Sequence, residues 1–127
     1  MAIQRETESI QPQTLIIRLK GEFDLSERAR LTDAFGVSIS ARLVIVDFEE
    51  ATYIDSTVLE CLVALELATR KRNARLVLVG VGHLLQRIFL ISGLDRYFNI
   101  RRSLSDVREA RRSEASQITL VAQAHAV

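Results

Sequence analysis

Continuous apolar runs alternate with helical spacing along this chain, and the two patterns predict different elements. The runs from Leu43 to Val46 and from Leu76 to Val79 contain no polar residue. Short runs of this kind are typical of strands that are covered on both faces, as in parallel sheets. The segment Thr14 to Lys20 is also rich in strand-forming residues, and Gly21 is predicted to end it. The weakly alternating stretch Ile3 to Ile10 is predicted to pair with that segment as an edge strand.

Apolar residues at intervals of three and four predict the helices. Ser26 is predicted to cap the first helix, which runs to about Val37. The second helix, from about Ser56 to Arg72, is apolar nearly all the way round, so we expect it to be buried on more than one side. The segment Glu49 to Ile54 is predicted to be a short connection that leads into it. Two further helices are predicted from about His83 to Ser92 and from Ser103 to about Ser113.

The order of these elements predicts an α/β fold. With a short strand at Tyr97 to Ile100, the order is β-β-α-β-α-β-α-β-α. Strands that alternate with helices favour a mixed sheet, here of about four to five strands, with the helices packed on it. The length of 127 residues fits one domain. We expect this domain to span residues 1–113 and to be followed by a C-terminal tail, residues 114–127, in which Ile118 to Val121 is either a short strand or part of a loose terminus.

Composition excludes several classes of function but adds little to the prediction of the fold. The 17 basic and 16 acidic residues give a net charge of +1, so no overall field attracts nucleic acid or an anionic membrane. With a single cysteine, Cys61, an internal disulfide and a cysteine-rich zinc site are excluded. No apolar run reaches about 18 residues, and the first ten residues carry charges where a signal peptide is apolar. The sequence also lacks a glycine-rich phosphate loop and the common catalytic motifs. We therefore expect a cytoplasmic protein that is not an enzyme and that has no metal, cofactor or membrane-inserted segment.

The helix start at Asp55-Ser56-Thr57 carries the most chemical information. In open α/β sheets, functional groups collect past the carboxyl ends of the strands, in the loops that enter the next helix. Backbone N–H groups at a helix start are unpaired, and the helix dipole favours negative charge there. A phosphate on Ser56 would therefore add about −1.5 to −2 charges to the surface without unfolding the domain. The same residues also fit a simpler role, in which Asp55 or Ser56 only caps the helix, and the spacing leaves both roles open.

Several segments, taken in order, resemble the STAS domain, whose standalone members include the anti-sigma factor antagonists of bacteria. These segments are Gly21-Glu22-Phe23-Asp24, Val44-Ile-Val-Asp-Phe48, Tyr53-Ile54-Asp55-Ser56-Thr57 with Leu59, Arg75-Leu-Val-Leu-Val-Gly80, and Ile91-Ser92-Gly93-Leu94-Asp95 with Phe98. The resemblance covers about Leu15 to Val107, which is most of the chain. It implies the α/β fold of that family for this domain.

The resemblance also implies a protein-interaction switch that acts in the regulation of transcription. Ser56 matches the phospho-acceptor serine of the family, and Thr57 is the second choice. An anti-sigma factor that is also a serine kinase would bind the unphosphorylated form and phosphorylate this serine, and a phosphatase would reverse the change. The partner-binding residues implied in this way are Glu22, Asp24, Asp55, Ser56, Thr57, Val58 and Glu60.

Val58 departs from the family pattern, in which glycine usually follows the hydroxyl pair. Its branched side chain restricts the first helical turn and adds bulk near the acceptor. This departure keeps a second function open, that of a constitutive STAS adaptor subunit of a membrane transporter or stress-signalling assembly, without phosphorylation. Glu60, one turn beyond Ser56, would oppose a phosphate if it faces the same way. Neither function requires direct contact with nucleic acid, and a weak homodimer also stays open.

Overall fold

Six strands and four helices make up the part of the chain that this computed structural model describes, which is residues 2–8, 14–36 and 41–110. The strands are β1 Ala2–Glu8, β2 Thr14–Phe23, β3 Leu43–Asp47, β4 Ala51–Ile54, β5 Arg75–Val79 and β6 Asn99–Arg101. The helices are α1 Arg28–Gly36, α2 Ser56–Lys71, α3 His83–Ser92 and α4, residues 104–110, with a 3-10 turn at Leu25–Glu27 before α1. The predicted tail, residues 114–127, lies outside the described residues.

The strands form a mixed sheet, as predicted. The order across the sheet is β1-β2-β3-β5-β6, and β4 pairs with β2 away from this path. β1 runs antiparallel to β2, whereas the other pairs, β2 with β3, β3 with β5, β5 with β6 and β2 with β4, are parallel. Because the parallel strands end at the same edge of the sheet, the loops that leave β3 and β5 open toward the same side.

The central strands are covered on both faces, which confirms what their continuous apolar runs predict. All five residues of β3 are buried. Since successive side chains of a strand point to opposite faces, Val44 and Val46 join the larger core under α1, α2 and α3. Leu43 and Ile45 join a smaller core on the other face, which Val107 of α4 closes. In the described parts of the chain, no helix combines the length and the apolar character that crossing a membrane requires.

The predicted end of β2 and the predicted connection before α2 are both wrong. β2 does not stop at Gly21 but continues to Phe23, and residues 51–54 form the strand β4 beside this extension. The backbone of Gly21 has φ 94°, a value that other residues rarely adopt, and the register shifts between Gly21 and Glu22. The extra residue of this β-bulge lies on β4, because Gly21 pairs with Ala51 and Glu22 with Tyr53, which leaves Thr52 outside the register. Phe23 is fully buried and fixes the extension to the core.

The predicted start of β6 is also wrong, by two residues. The backbone N–H groups of Tyr97 and Phe98 both donate to the carbonyl oxygen of Leu94, at 3.0 Å and 3.1 Å. These two residues therefore belong to the turn that follows α3, and the ladder with β5 begins only at Asn99. The apolar character of Phe98 reflects burial in the core under the helices, where its ring packs 5.7 Å from that of Phe89.

Candidate functional site

The pairing of β2 with β4 brings two acidic residues together at one edge of the sheet. In this parallel pair, Phe23 lies opposite Ile54. The next residues along each strand are Asp24 and Asp55, so both carboxylates leave the sheet at the same level. Each of them caps a helical turn, the 3-10 turn before α1 in one case and α2 in the other. The resemblance implies that both residues contact a partner, and the strand register places them at the same edge of the sheet.

Asp24, rather than Ser26, caps the 3-10 turn, so the predicted cap at Ser26 is wrong. One carboxylate oxygen of Asp24, Oδ1, accepts hydrogen bonds from the Ser26 backbone N–H at 2.9 Å and from the Ser26 hydroxyl at 2.6 Å. The serine is therefore a donor to the cap and not the cap itself. These two hydrogen bonds, the one from the hydroxyl first, hold the pKa of Asp24 below its usual value. Asp24 consequently stays ionised at neutral pH, at an exposed position beside the start of α2.

At the start of α2, one residue caps the helix and the next residue carries the exposed hydroxyl. Asp55 is the cap: its Oδ1 accepts a hydrogen bond from the backbone N–H of Thr57 at 2.8 Å. Ser56 is the first residue of the helix and is exposed. Its hydroxyl makes no hydrogen bond with another described residue. The Ser56 hydroxyl is thus accessible and is not needed to hold the helix end in place.

An ion pair between two helices lies next to this position. Arg28, the first residue of α1, donates through Nη2 to Oε2 of Glu60 on α2. Glu60 lies one turn beyond Ser56, on the same side of the helix. The hydrogen bond to Glu60, more than the charges of neighbouring residues such as Asp55, raises the pKa of Arg28. The sequence analysis did not single out Arg28, because its partner is 32 residues away and no local spacing relates the two.

Comparison with known protein families decides where this chain belongs. The family model described as Mlab, STAS domain, matches residues 6–105. The chain belongs to the STAS domain family. A STAS-domain containing protein of Pseudomonas aeruginosa (strain UCBPP-PA14) is 33% identical over 89 residues, which cover 69% of this chain and 88% of that protein. The sequence resemblance to this family is thereby confirmed.

Solved structures show that the predicted STAS fold is correct. An anti-sigma factor antagonist from Mycobacterium paratuberculosis has a TM-score of 0.73 at 23% identity, over 87% of this chain and 95% of that one. The phosphorylated form of the Bacillus cell fate determinant SpoIIAA has a TM-score of 0.64 at 18% identity, over 84% and 99%. A sulfate transporter family protein from Wolinella succinogenes reaches 0.64 at 20% identity, over 72% and 79%. The fold is thus shared by anti-sigma factor antagonists and by a transporter family protein, and it is typically not enzymatic.

Two of the predicted STAS site residues lie inside the fold. Thr57 has 5% of its surface exposed and Val58 has 0%. Both face the core at the start of α2, so neither side chain is available to a partner in this conformation. The bulk of Val58 fills the core instead of crowding the Ser56 hydroxyl. Ser56 is therefore the accessible hydroxyl of the pair.

Of the other predicted site residues, Glu22, Asp24, Ser56 and Glu60 are exposed, and Asp55 is partly buried. Glu22 is exposed near the end of β2 and lies opposite Tyr53 of β4, which is also exposed. Glu22 and Asp24 lie at the end of β2, and Asp55 and Glu60 lie at or near the start of α2, so this end of the sheet carries four carboxylates. We refer to Glu22, Asp24, Asp55, Ser56 and Glu60 as the acidic edge.

Exposed apolar side chains on α3 are a feature that sequence reasoning missed. The spacing of its apolar residues predicts this helix, and Phe89 is its one buried residue. Leu84, Ile88 and Ile91 are exposed and share one side of the helix, because they lie four and three residues apart. Periodicity identifies a helix correctly here, but it does not tell a core-facing apolar side from one that faces solvent.

Proposed function

We propose that this STAS domain is a protein-interaction switch of the anti-sigma factor antagonist type, controlled by phosphorylation of Ser56. Its partner would be an anti-sigma factor that is also a serine kinase, and a phosphatase would reset it. The observation that carries the proposal is the exposed and uncommitted hydroxyl of Ser56 at the first residue of α2. A kinase needs such a hydroxyl, and a partner surface next to it can sense the added charge.

The position also suits a phosphate energetically. The first N–H groups of α2 have no partner within the helix, and its dipole favours negative charge at this end. Thr57 already donates its N–H to Asp55, so the cap does not depend on Ser56. Phosphorylation would therefore leave the fold in place. The structural neighbour SpoIIAA has been solved both in its unphosphorylated form and in its phosphorylated form, which supports this expectation for the fold.

The added charge would change what the acidic edge can bind. A phosphate contributes about −1.5 to −2 charges at neutral pH. It would appear beside Asp24 and Asp55, whose carboxylates lie at the same edge. A partner surface that complements the unmodified edge would then face strong repulsion or an unpaired dianion. The partner kinase would supply the phosphate from its own bound ATP, so the chain would act as a switch without catalytic groups of its own.

The direct test uses the full chain with Mg-ATP and a candidate kinase of the anti-sigma class from the same genome. We expect intact mass to rise by one phosphate, peptide mapping to place it on Ser56, and Ser56→Ala to abolish it. Thr57→Ser is the matched control and should be modified at Ser56 as in the parent chain. The variant Ser56→Asp should bind the partner more weakly. An absence of phosphate on Ser56, together with normal binding by Ser56→Asp, would contradict the switch.

A second function, a constitutive adaptor subunit of a membrane transporter, is favoured by two comparisons. The matching family model is the Mlab type of STAS domain, and the fold is also that of a sulfate transporter family protein. Val58 no longer favours it, since this side chain is buried and leaves the acceptor position open. Affinity capture with the full chain separates the two functions, because recovery of a transporter subunit supports the adaptor and recovery of an ATP-dependent kinase supports the switch.

A further inference from the structure

We propose that Arg28 is the side chain that binds the phosphate on Ser56, and that it leaves Glu60 to do so. This inference rests on the proposed function, because it concerns the phosphorylated form. The ligand is a phosphate monoester carried by the chain itself. No covalent step is involved beyond the phosphorylation, since one ion pair is exchanged for another.

The placement of Arg28 follows from two elements that are distant in sequence. Its guanidinium reaches across from α1 to Glu60 on α2. Ser56 and Glu60 are four residues apart in the same helix, so their Cβ atoms are separated by about 5–6 Å. Because helical side chains lean toward the helix N-terminus, the Glu60 side chain leans back toward Ser56, and the Arg28 guanidinium that it holds lies on the side of α2 that carries Ser56. Arg28 therefore has to shift by about one helical turn, roughly 5.4 Å, which is within the range of a long and flexible side chain.

The exchange is chemically favourable for the phosphate. The side chains of Arg28 and Glu60 are 47% and 62% exposed, and exposed pairs of this kind are weakly stabilising. A phosphate carries more charge than a carboxylate and presents three acceptor oxygens to the planar guanidinium, which can bind two of them at once. Arg28 is also fully protonated whether or not Glu60 contacts it. The dianion should therefore displace Glu60 from Arg28.

The other charged groups at the start of α2 favour a cation beside a phosphate on Ser56. The charged groups that the strand pairing and the ion pair bring to the start of α2 are the carboxylates of Asp55 and Glu60 on or next to α2, that of Asp24 at the end of β2, and the Arg28 guanidinium from α1. The hydrogen bonds from Ser26 keep Asp24 ionised. A phosphate added among these carboxylates is repelled by each of them. Arg28 supplies the positive charge that offsets this repulsion.

The exchange extends the effect of phosphorylation along α2. Once Arg28 moves to the phosphate, the Glu60 carboxylate loses its partner on α1. The phosphate is then partly neutralised, while an unpaired carboxylate appears one turn farther along the exposed side of the helix. A partner that lies along this side of α2 would meet the change at Ser56 and at Glu60. Phosphorylation would thus be sensed over two turns of helix instead of at one residue.

The test installs phosphoserine at position 56 of the full chain during translation, by genetic code expansion, so that no kinase is needed. A phosphorus NMR titration then gives the second pKa of the phosphate, which is ordinarily about 6. Arg28→Gln should raise this pKa by about half a unit or more, because a nearby cation favours the dianion. Arg30→Gln is the matched control: Arg30 lies on the same helix, is 51% exposed and pairs with Glu27. It should leave the phosphate pKa unchanged.

The exchange with Glu60 is tested by a double-mutant cycle. Glu60→Gln should lower the phosphate pKa more in the parent phosphoprotein than in the Arg28→Gln background, since only in the parent does Glu60 compete with the phosphate for Arg28. An equal effect in both backgrounds would overturn the exchange, and equal pKa values for Arg28→Gln and Arg30→Gln would overturn the assignment of Arg28. A failure of the kinase test would refute the proposed function without altering these measurements.

Discussion

Replacing Val58 by glycine, the residue that the STAS family usually carries there, should destabilise this protein instead of opening its surface. Val58 is fully buried at the third position of α2 and belongs to the main core. Its side chain cannot shield Ser56 from a partner while it fills this space. The substitution therefore separates two explanations of the departure from the family pattern. If Val58 acts through the core, stability changes; if it acts at the surface, phosphorylation and binding change.

The size of the effect follows from the volume removed. Val58→Ala deletes two buried carbon groups, each worth about 0.8 kcal/mol of transfer free energy. The cavity left behind raises the loss to about 2–3 kcal/mol. Glycine in place of alanine adds up to about 1 kcal/mol in a helix, so Val58→Gly should lose about 3–4 kcal/mol. Native domains are stable by about 5–15 kcal/mol, and the variant should therefore still fold.

Urea unfolding of the full chain measures this loss. The midpoint should fall without a change in slope, because the surface exposed on unfolding stays nearly the same. Leu67→Ala is the matched control: it also shortens an aliphatic side chain on α2, but this side chain is 48% exposed. It should lose less than about 1 kcal/mol. A Val58→Gly variant that is no less stable than Leu67→Ala would refute the reasoning from burial.

Three further predictions concern the turns that shape the site. Asp55→Ala removes the acceptor for the Thr57 N–H and should lower the free energy of unfolding by about 1 kcal/mol in urea titrations. Asp55→Asn keeps an acceptor and should lose less; equal losses would argue against the cap. Gly80→Ala puts a Cβ 2.8 Å from the backbone nitrogen of Glu49, at a residue with φ +68°. Thermal melts should therefore show that the free energy of unfolding falls by more than about 1 kcal/mol. Gly36→Ala is the control and should show a far smaller loss, because the space around its Cβ is open. Because the pKa of Asp24 is lowered in the folded state, its ionised carboxylate stabilises the fold. This stabilisation is complete at pH values well above the ordinary pKa of 3.8, and it is lost as the pH falls through the lowered pKa. The stability difference between the parent chain and Asp24→Asn should thus be constant near neutral pH and shrink in acid, and a difference that is independent of pH would contradict it.

Local patterns were sufficient to predict the centre of the fold. The apolar runs of β3 and β5 correctly indicated strands covered on both faces, because burial on both sides leaves no polar position in the sequence. β4 carries no such signal: its residues Ala51–Ile54 are partly buried or exposed. Its strand character is evident only from its pairing with the extension of β2 beyond Lys20, where β4 carries one extra residue, Thr52. The pairing of two segments that are distant in the chain is a long-range effect, and spacing within one segment does not reveal it.

The candidate site was predictable in part for the same reason. The motif Asp55-Ser56-Thr57 marks a helix start on its own, and the structure confirms that helix. The burial of Thr57 and Val58 depends on which side of α2 meets the sheet, and this is set by the packing of the whole helix. The ion pair between Arg28 and Glu60 joins residues 32 positions apart, so it arises only when α1 and α2 pack together. The residues of the acidic edge could therefore be named from the sequence, but the contact of Glu60 with Arg28 could not.

Capping and phosphorylation, which the sequence left as alternatives at the start of α2, require different residues and are compatible. If the Ser56 hydroxyl accepted a backbone N–H, a phosphate on it would have to compete with the cap, and modification would weaken the helix. The structure gives that task to the Asp55 carboxylate, which contacts the Thr57 N–H at 2.8 Å. Ser56 then has no structural role that phosphorylation would disturb. A phosphate at this position would change the charge of the acidic edge while the fold beneath it stays the same, which is the property that a reversible protein-interaction switch requires.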